Sequence, residues 1–267
     1  MITFCPLASG SKGNCLFLGT PKVNILIDAG ISAKAISAHL EKLGSSIDSI
    51  AAIIITHEHS DHISGLKRLA FKYQIPIIAN YQTAESIVES LGECPRFYIF
   101  TTDEEFEFCG LKISPFTIPH DGVDPIGLTI ETNGTKIGIC TDAGFITPSL
   151  IHNLKECDVL CIEANHQPEL VLASSRPEIY KRRVLSKTGH LSNIEAARLL
   201  KEVAHPNLQH VYLAHLSEES NTPETALNVV SEFLERAALF IPISIAHQQK
   251  RSFPYQKTHA TKNPAPA

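Results

Sequence analysis

Four metal-capable side chains fall within His57-x-His59-x-Asp61-His62, directly after the apolar run of residues 47–55. That juxtaposition restricts the fold more than any other feature of the chain. A continuous Ile/Ala run reads as a strand buried on both faces. Functional loops concentrate where such a strand gives way to polar residues on a rigid sheet. Imidazoles and carboxylates suit zinc and other borderline divalent ions. In an extended segment His57 and His59 project to one side, because side chains alternate with a period of two. Asp61 and His62, where the loop enters a helix, can turn toward a neighbouring position, so one segment can serve two metal centres. The same criterion selects His120 after residues 112–118, Asp142 after 136–141 and His215 after 211–214.

The rest of the chain supplies a frame for such a site. Strands are expected at 23–27, 76–79, 106–108, 111–118, 159–163, 211–214 and 239–245. Helical spacing marks 31–43, 63–73, 176–187, 193–204 and 222–237. Residues 126–131 and 136–141 form the clearest hairpin, joined by Asn133-Gly134, a favoured tight-turn pair. Repeated strand, loop and helix order predicts a sheet covered by helices. With 267 residues, 43% hydrophobic and 19% charged, the chain can bury its own core and is neither disordered nor collagen-like. One domain is expected over 1–246. Residues 247–267 form a C-terminal extension with no acid and with Pro254, Pro264 and Pro266, expected to be flexible beyond about residue 255, with nucleic-acid contact as the alternative.

The formal charge of −5 argues against a protein coated in positive charge, but local charge is uneven: residues 85–107 carry a net −6 and residues 176–187 a net +4. The 7 cysteines are odd in number and none are spaced as Cys-x2-Cys, which reads as free, mostly buried thiols in a reducing compartment. No leader pattern or long apolar segment is evident, so a cytoplasmic protein without a membrane span is expected.

The ligand pattern resembles the metallo-β-lactamase fold superfamily, whose members place paired metals at the edge of a four-layer αβ/βα sandwich. A narrower set adds Ser9-Gly10-Ser11-Lys12-Gly13-Asn14, Asp28-Ala29-Gly30, Pro119-His120-Asp121 and Asp142-Ala143-Gly144. With it go Glu163-Ala164-Asn165-His166, Gly189-His190-Leu191-Ser192-Asn193 and Ala214-His215-Leu216-Ser217. Together these are similar to the bacterial YycJ/WalJ group, regarded as metal-dependent nucleases acting on DNA ends. Lys12 stands where related sequences often have a smaller residue.

The resemblance implies an α/β sandwich holding two divalent ions, zinc or manganese. His57, His59 and His120 would surround one ion, Asp61, His62 and His215 the other, and Asp142 would bridge them. It implies a phosphodiesterase that removes nucleotides from the 5′ ends of DNA by attack of metal-activated hydroxide. RNA processing, or hydrolysis of a small or cyclic phosphodiester, is the alternative. Two such ions can activate water and neutralise a phosphate.

Asp61 can ligate and orient the attacking water. His190 can donate a proton to the leaving oxygen or bind a phosphate oxygen. Ser192 reads as a helix N-cap with Glu195 completing a capping box, and a helix start favours an anion, so Ser192 and Asn193 are candidate substrate contacts. Asn165 and His166 are expected on the rim of the site. Lys181, with Arg182 and Arg183, can form a phosphate-binding edge, and Tyr180 can stack on a base. Ser9, Ser11 and Asn14 can bind phosphate or support the metal loop. Asp28 is expected to accept the second N–H of a ligating imidazole, as is Asp121 beside His120. Cys140 is expected in the core.

Overall fold

The computed structural model describes residues 1–258 and contains two seven-stranded sheets packed face to face. In chain order the strands are β1 (Ile2–Ala8), β2 (Cys15–Gly19), β3 (Asn24–Ile27), β4 (Ile50–Ile54), β5 (Ile77–Asn80), β6 (Phe97–Phe100) and β7 (Phe106–Phe108). They continue with β8 (Leu111–Thr117), β9 (Ile126–Thr132), β10 (Thr135–Cys140), β11 (Val159–Glu163), β12 (His210–Ala214), β13 (Ile243–Ile245) and β14 (Tyr255–Lys257). One sheet runs β14-β1-β2-β3-β4-β5-β6 and the other β13-β12-β11-β10-β9-β8-β7.

The period of two sorts each strand between layers. Ile25, Ile27 and Ile54 point between the sheets toward Leu128, Ile137 and Tyr212. Leu26, Ile53 and Ile77 face outward. That outer face is covered by α1 (Ala33–Glu41), α3 (Leu66–Lys72) and α4 (Tyr81–Leu91), after the short α2 (Ser60–Ile63). The outer face of the second sheet is covered by α5 (Pro148–Leu154), α8 (Asn193–Val203) and α9 (Pro223–Arg236). Between them α6 (Pro168–Ala173) and α7 (Glu178–Val184) form a short helical excursion. This is the expected four-layer α/β sandwich. No helix among the described residues is long and apolar enough to cross a membrane.

Strand direction gathers the site. β3 and β4 run parallel, with Ile27 opposite Ile54, and β10, β11 and β12 run parallel, with Cys140 opposite Ile162 and Glu163 opposite Ala214. Their carboxyl ends therefore deliver Asp28, His57, Asp142, Glu163 and His215 to one rim, the usual ligand edge of parallel sheets. A bond from Ile126 N to Thr56 O, 3.1 Å long, joins the two sheets there.

Several boundaries differ from those expected. The run 47–55 opens as a 3₁₀ turn (Ile47–Ser49) before β4 begins. The helix expected at 63–73 is two helices broken at Gly65, whose N–H donates to Ala29 O and whose position leaves no room for a Cβ beside Ile31 O. Only Ile243–Ile245 of the run 239–245 is strand. The extension does not part from the fold at residue 246. Ser252 N donates to Pro6 O at 2.9 Å, and Tyr255–Lys257 pairs antiparallel with β1. Lys262, Pro264 and Pro266, and the flexibility expected there, lie outside the described residues.

Candidate metal centre

Three residues of the rim hold left-handed backbone: Asp28 at φ 60°, Asp142 at φ 61° and His215 at φ 55°. Such angles are uncommon outside glycine and cluster at functional sites, where the surrounding fold enforces them. The loop 57–62 is fixed from beneath by Asn14, whose backbone N–H donates to Asp61 O at 2.7 Å and whose carbonyl accepts from Gly30 N at 2.7 Å. Gly30 is required by this approach, since a Cβ there would lie 1.6 Å from Asp61 O.

The seven side chains converge. The ligand atoms of His57, His59 and His120 lie within 4.8 Å of one another, as do those of Asp61, His62 and His215, and those of His57, His62 and Asp142. Asp142 faces both triads: one oxygen is 3.3 Å from His62 Nε2 and the other 3.8 Å from His120 Nε2. His57 Nε2 and Asp142 Oδ2 are buried with no hydrogen-bond partner among the described residues. Leaving such atoms unsatisfied is costly, and a cation between them would remove the cost. The donor set, imidazoles with carboxylates, fits a divalent ion at each triad. The arrangement is that of a dinuclear divalent-metal site.

Charges in the cluster are strongly coupled. Burial and the neighbouring His62 hold His57 well below the ordinary imidazole range. Burial also opposes a charge on His62 and His215, but carboxylates prevail. Asp28 and Asp142 hold His62 well above its usual range, and Asp142, Asp61 and Glu163 lift His215 to about 10. Asp61 and Asp142 resist the effect of burial, because His62 and His215 hold both carboxyls well below theirs.

Outer partners orient the imidazoles. Asp28 Oδ2 is 2.7 Å from His62 Nδ1, and its other oxygen accepts from Thr56 N at 2.9 Å. Asp121 does not take the second N–H of His120 as expected: that nitrogen, Nδ1, faces Gly189 O at 3.2 Å. Asp121 lies 3.3 Å from Nε2, the nitrogen turned to His59 Nδ1, and 3.6 Å from His59 Nε2, and is held from outside by Arg183 at 2.6 Å. Glu163, which the sequence places in a motif but for which it suggests no role, supports the site. Fully buried, it accepts from Ala143 N and Leu191 N through one oxygen. The other oxygen lies 2.8 Å from His190 Nδ1 and 2.9 Å from His215 Nδ1. A carboxylate ending a wholly buried strand was the available signal, since such a charge needs partners.

The expected substrate contacts divide. His190 stands at the centre, its ring 5.3 Å from that of His120 and 5.2 Å from that of His215. His166 is buried near Glu163 and His190; burial brings it down to about 4, and its Nδ1 has no partner among the described residues. Ser9 and Asn165 support His215 instead of facing outward: Ser9 Oγ accepts from His215 N at 2.8 Å, and Asn165 Nδ2 donates to His215 O at 2.8 Å. Asn14 Nδ2 donates to Asp61 Oδ2 at 3.2 Å. The capping box at α8 is present, and its carboxylate occupies the helix start expected to draw phosphate, with Glu195 Oε2 accepting from Ser192 N and Oγ. Asn193 is buried against Asn221. Lys181 is spent on Leu172 O at 2.9 Å and on Glu178. The Tyr180 ring carries the Arg176 guanidinium, 5.2 Å from its centre. Cys140 is in the core, as expected.

Residues 23–216 match the family model described as a beta-lactamase superfamily domain. The chain is 36% identical over 234 residues to the exodeoxyribonuclease YycJ of Bacillus anthracis, covering 87% of this chain and 89% of that one. It is 34% identical over 241 residues to the exodeoxyribonuclease WalJ of Streptococcus pneumoniae, covering 89% and 90%. The crystal structure of the metallo-beta-lactamase fold protein YhfI from Bacillus subtilis superposes with a TM-score of 0.73 at 16% identity, covering 95% of this chain and 98% of that one, which bears on the fold alone. The dinuclear site and this full-length similarity identify a metal-dependent hydrolase homologous to the YycJ/WalJ exonucleases, and the chain belongs to the metallo-β-lactamase superfamily.

Proposed function

We propose that the chain is a DNA exonuclease that cleaves phosphodiesters from 5′ ends. The observation that carries the chemistry is Asp142, one oxygen of which lies 3.3 Å from His62 Nε2 and the other 3.8 Å from His120 Nε2, so that it reaches a residue of each triad. The choice of DNA rests on the similarity, over nearly the whole of both chains, to relatives named exodeoxyribonucleases. His57, His59 and His120 would hold one ion and Asp61, His62 and His215 the other, with Asp142 within reach of both sets. Zinc or manganese fits these donors, and when bound would supply Lewis acidity and a water of lowered pKa.

The protein's own groups do the rest. Asp61, ionised and held by His62 and His215, orients the attacking water. Glu163 accepts from His190 Nδ1 and fixes the ring, and in the imidazolium form Nε2 carries the proton that passes to the departing oxygen, leaving the neutral imidazole. His166, neutral at physiological pH and buried beside Glu163 and His190, backs the substrate side of the site instead of standing on its rim. Seven unpaired thiols accord with a reducing, cytoplasmic compartment.

The test uses metal-reconstituted protein on end-labelled single- and double-stranded DNA, with matched RNA and cyclic nucleotides. Mononucleotides should appear from labelled 5′ DNA ends. His190→Ala and His59→Ala should both lose turnover, with metal lost only from His59→Ala. Cleavage of the cyclic substrate or RNA with DNA untouched would overturn the DNA assignment, and normal DNA cleavage by His190→Ala would remove its role.

A further inference from the structure

Phe145 stands three residues beyond Asp142, on the loop leading to α5, with its side chain 38% exposed. The Lys187 ammonium lies 5.9 Å from the centre of its ring. The two loops that carry them run in contact: a Cβ added to Gly144 would sit 2.2 Å from Lys187 O. The first loop comes from Asp142 and the second goes on to His190, so ring and ammonium are carried on two loops that also bear residues of the site. Arg183 is exposed on the same approach, its Nε and Nη2 held by Asp121 at 2.6 and 3.1 Å, and Asp121 borders His59 and His120. Arg183 spends two of its five N–H donors in this way and keeps the others for an incoming anion.

A half-exposed aromatic ring with an ammonium over it, on the loops that carry Asp142 and His190, matches the chemistry of a nucleotide. Bases stack on such rings whatever their identity, while lysine and arginine neutralise the backbone. The Lys187 ammonium and the remaining N–H donors of Arg183 select an anionic occupant over an apolar protein surface.

We propose that Phe145 is the stacking platform for the base adjoining the scissile phosphate of a DNA end, with Lys187 and Arg183 engaging the flanking phosphates. This rests on the nuclease reading above and adds how the strand is held. The same metal-loaded protein is given two oligonucleotides, one with a normal terminal nucleotide and one whose terminal nucleotide lacks its base. The wild type should favour the normal end by about 10-fold in kcat/KM, the scale of one stacked base. Phe145→Ala should bring the ratio close to one, and Phe145→Tyr should keep it. Lys187→Ala should reduce the slope of log KM against log salt by about 0.7–0.9, the loss of one phosphate contact.

Equal rates on the two ends by the wild type, or an unchanged ratio in Phe145→Ala, would overturn the platform while leaving the nuclease reading intact. Failure of the wild type to cleave either DNA would overturn both. The comparison of the two ends by the wild type needs no variant, so it stands even if Phe145→Ala fails to fold.

Discussion

Asp28→Asn tests whether orientation of one imidazole controls metal capture. Asp28 sits at φ 60°, a conformation asparagine accepts readily, so the backbone has no reason to move. The amide oxygen can still accept from Thr56 N. Its NH₂ then faces His62 Nδ1, 2.7 Å away, and donates where the carboxylate accepted. His62 must place its proton on Nε2, the atom that faces Asp61 and Asp142. A protonated Nε2 cannot ligate.

Substitutions of this kind typically cost about 10- to 100-fold in metal affinity, or about 1.4–2.7 kcal/mol. Losing the charge-assisted bond should also destabilise the metal-free protein by about 2 kcal/mol, lowering Tm by roughly 4–8 °C for a chain of this size. Competition against a chromophoric chelator measures the affinity, and thermal unfolding of the metal-free protein measures the second term. Affinity within twofold of wild type, with the lowered Tm present, would refute the orientation argument, because the bond would then matter to stability alone.

The remaining predictions concern protons and thiols. His215 has a folded value of about 10 against an ordinary 6.5, so its contribution to metal-free stability is full below pH 6.5 and disappears as pH rises toward 10. Asp142 and Glu163 are depressed, so their contribution is present above the ordinary carboxylate range and is lost on acidification. The metal-free protein should therefore be most stable near pH 5–6.5, and loading at pH 7 should release protons from the ligating imidazoles. Calorimetric titration in two buffers of different ionisation enthalpy checks this, and identical heats would refute it. Burial pushes Cys5 up to about 11 and Cys157 and Cys161 to about 12, and holds Cys15 and Cys140 higher still than an ordinary thiol. At pH 8 a disulfide reagent should thus modify only exposed Cys94 and Cys109 quickly, with the other thiols following only after denaturation. Rapid modification of more than two would show that the core opens.

What could be read along the chain was what the chain encodes locally. The cluster from His57 to His62 is contiguous, and Asn133-Gly134 defines its hairpin with positive φ at both residues. Glu163 was illegible in role because its meaning comes from Ala143, His190, Leu191 and His215, which only the packed sheet brings to it. Ser9 and Asn14 have turn-forming side chains, and nothing local distinguishes bonding a phosphate from bonding His215 and Asp61. The break at Gly65 is set by Ala29 and Ile31 from another element, so helical spacing through that point misleads. β14 is too short to signal itself and exists because β1 offers it an edge.

That last pairing governs when the site can be finished. The Cys5 thiol donates to Ser252 O across 247 residues of chain, and Gln248 clasps the Ser9–Asn14 loop by accepting from Lys12 N and donating to Gly13 O. During synthesis the amino-terminal strands emerge long before these partners, and contacts so far apart form slowly. The shelf beneath Asp61 stays unlatched until Gln248 has emerged to hold the Ser9–Asn14 loop. Tight capture of the ions thus waits on a segment that ligates nothing itself.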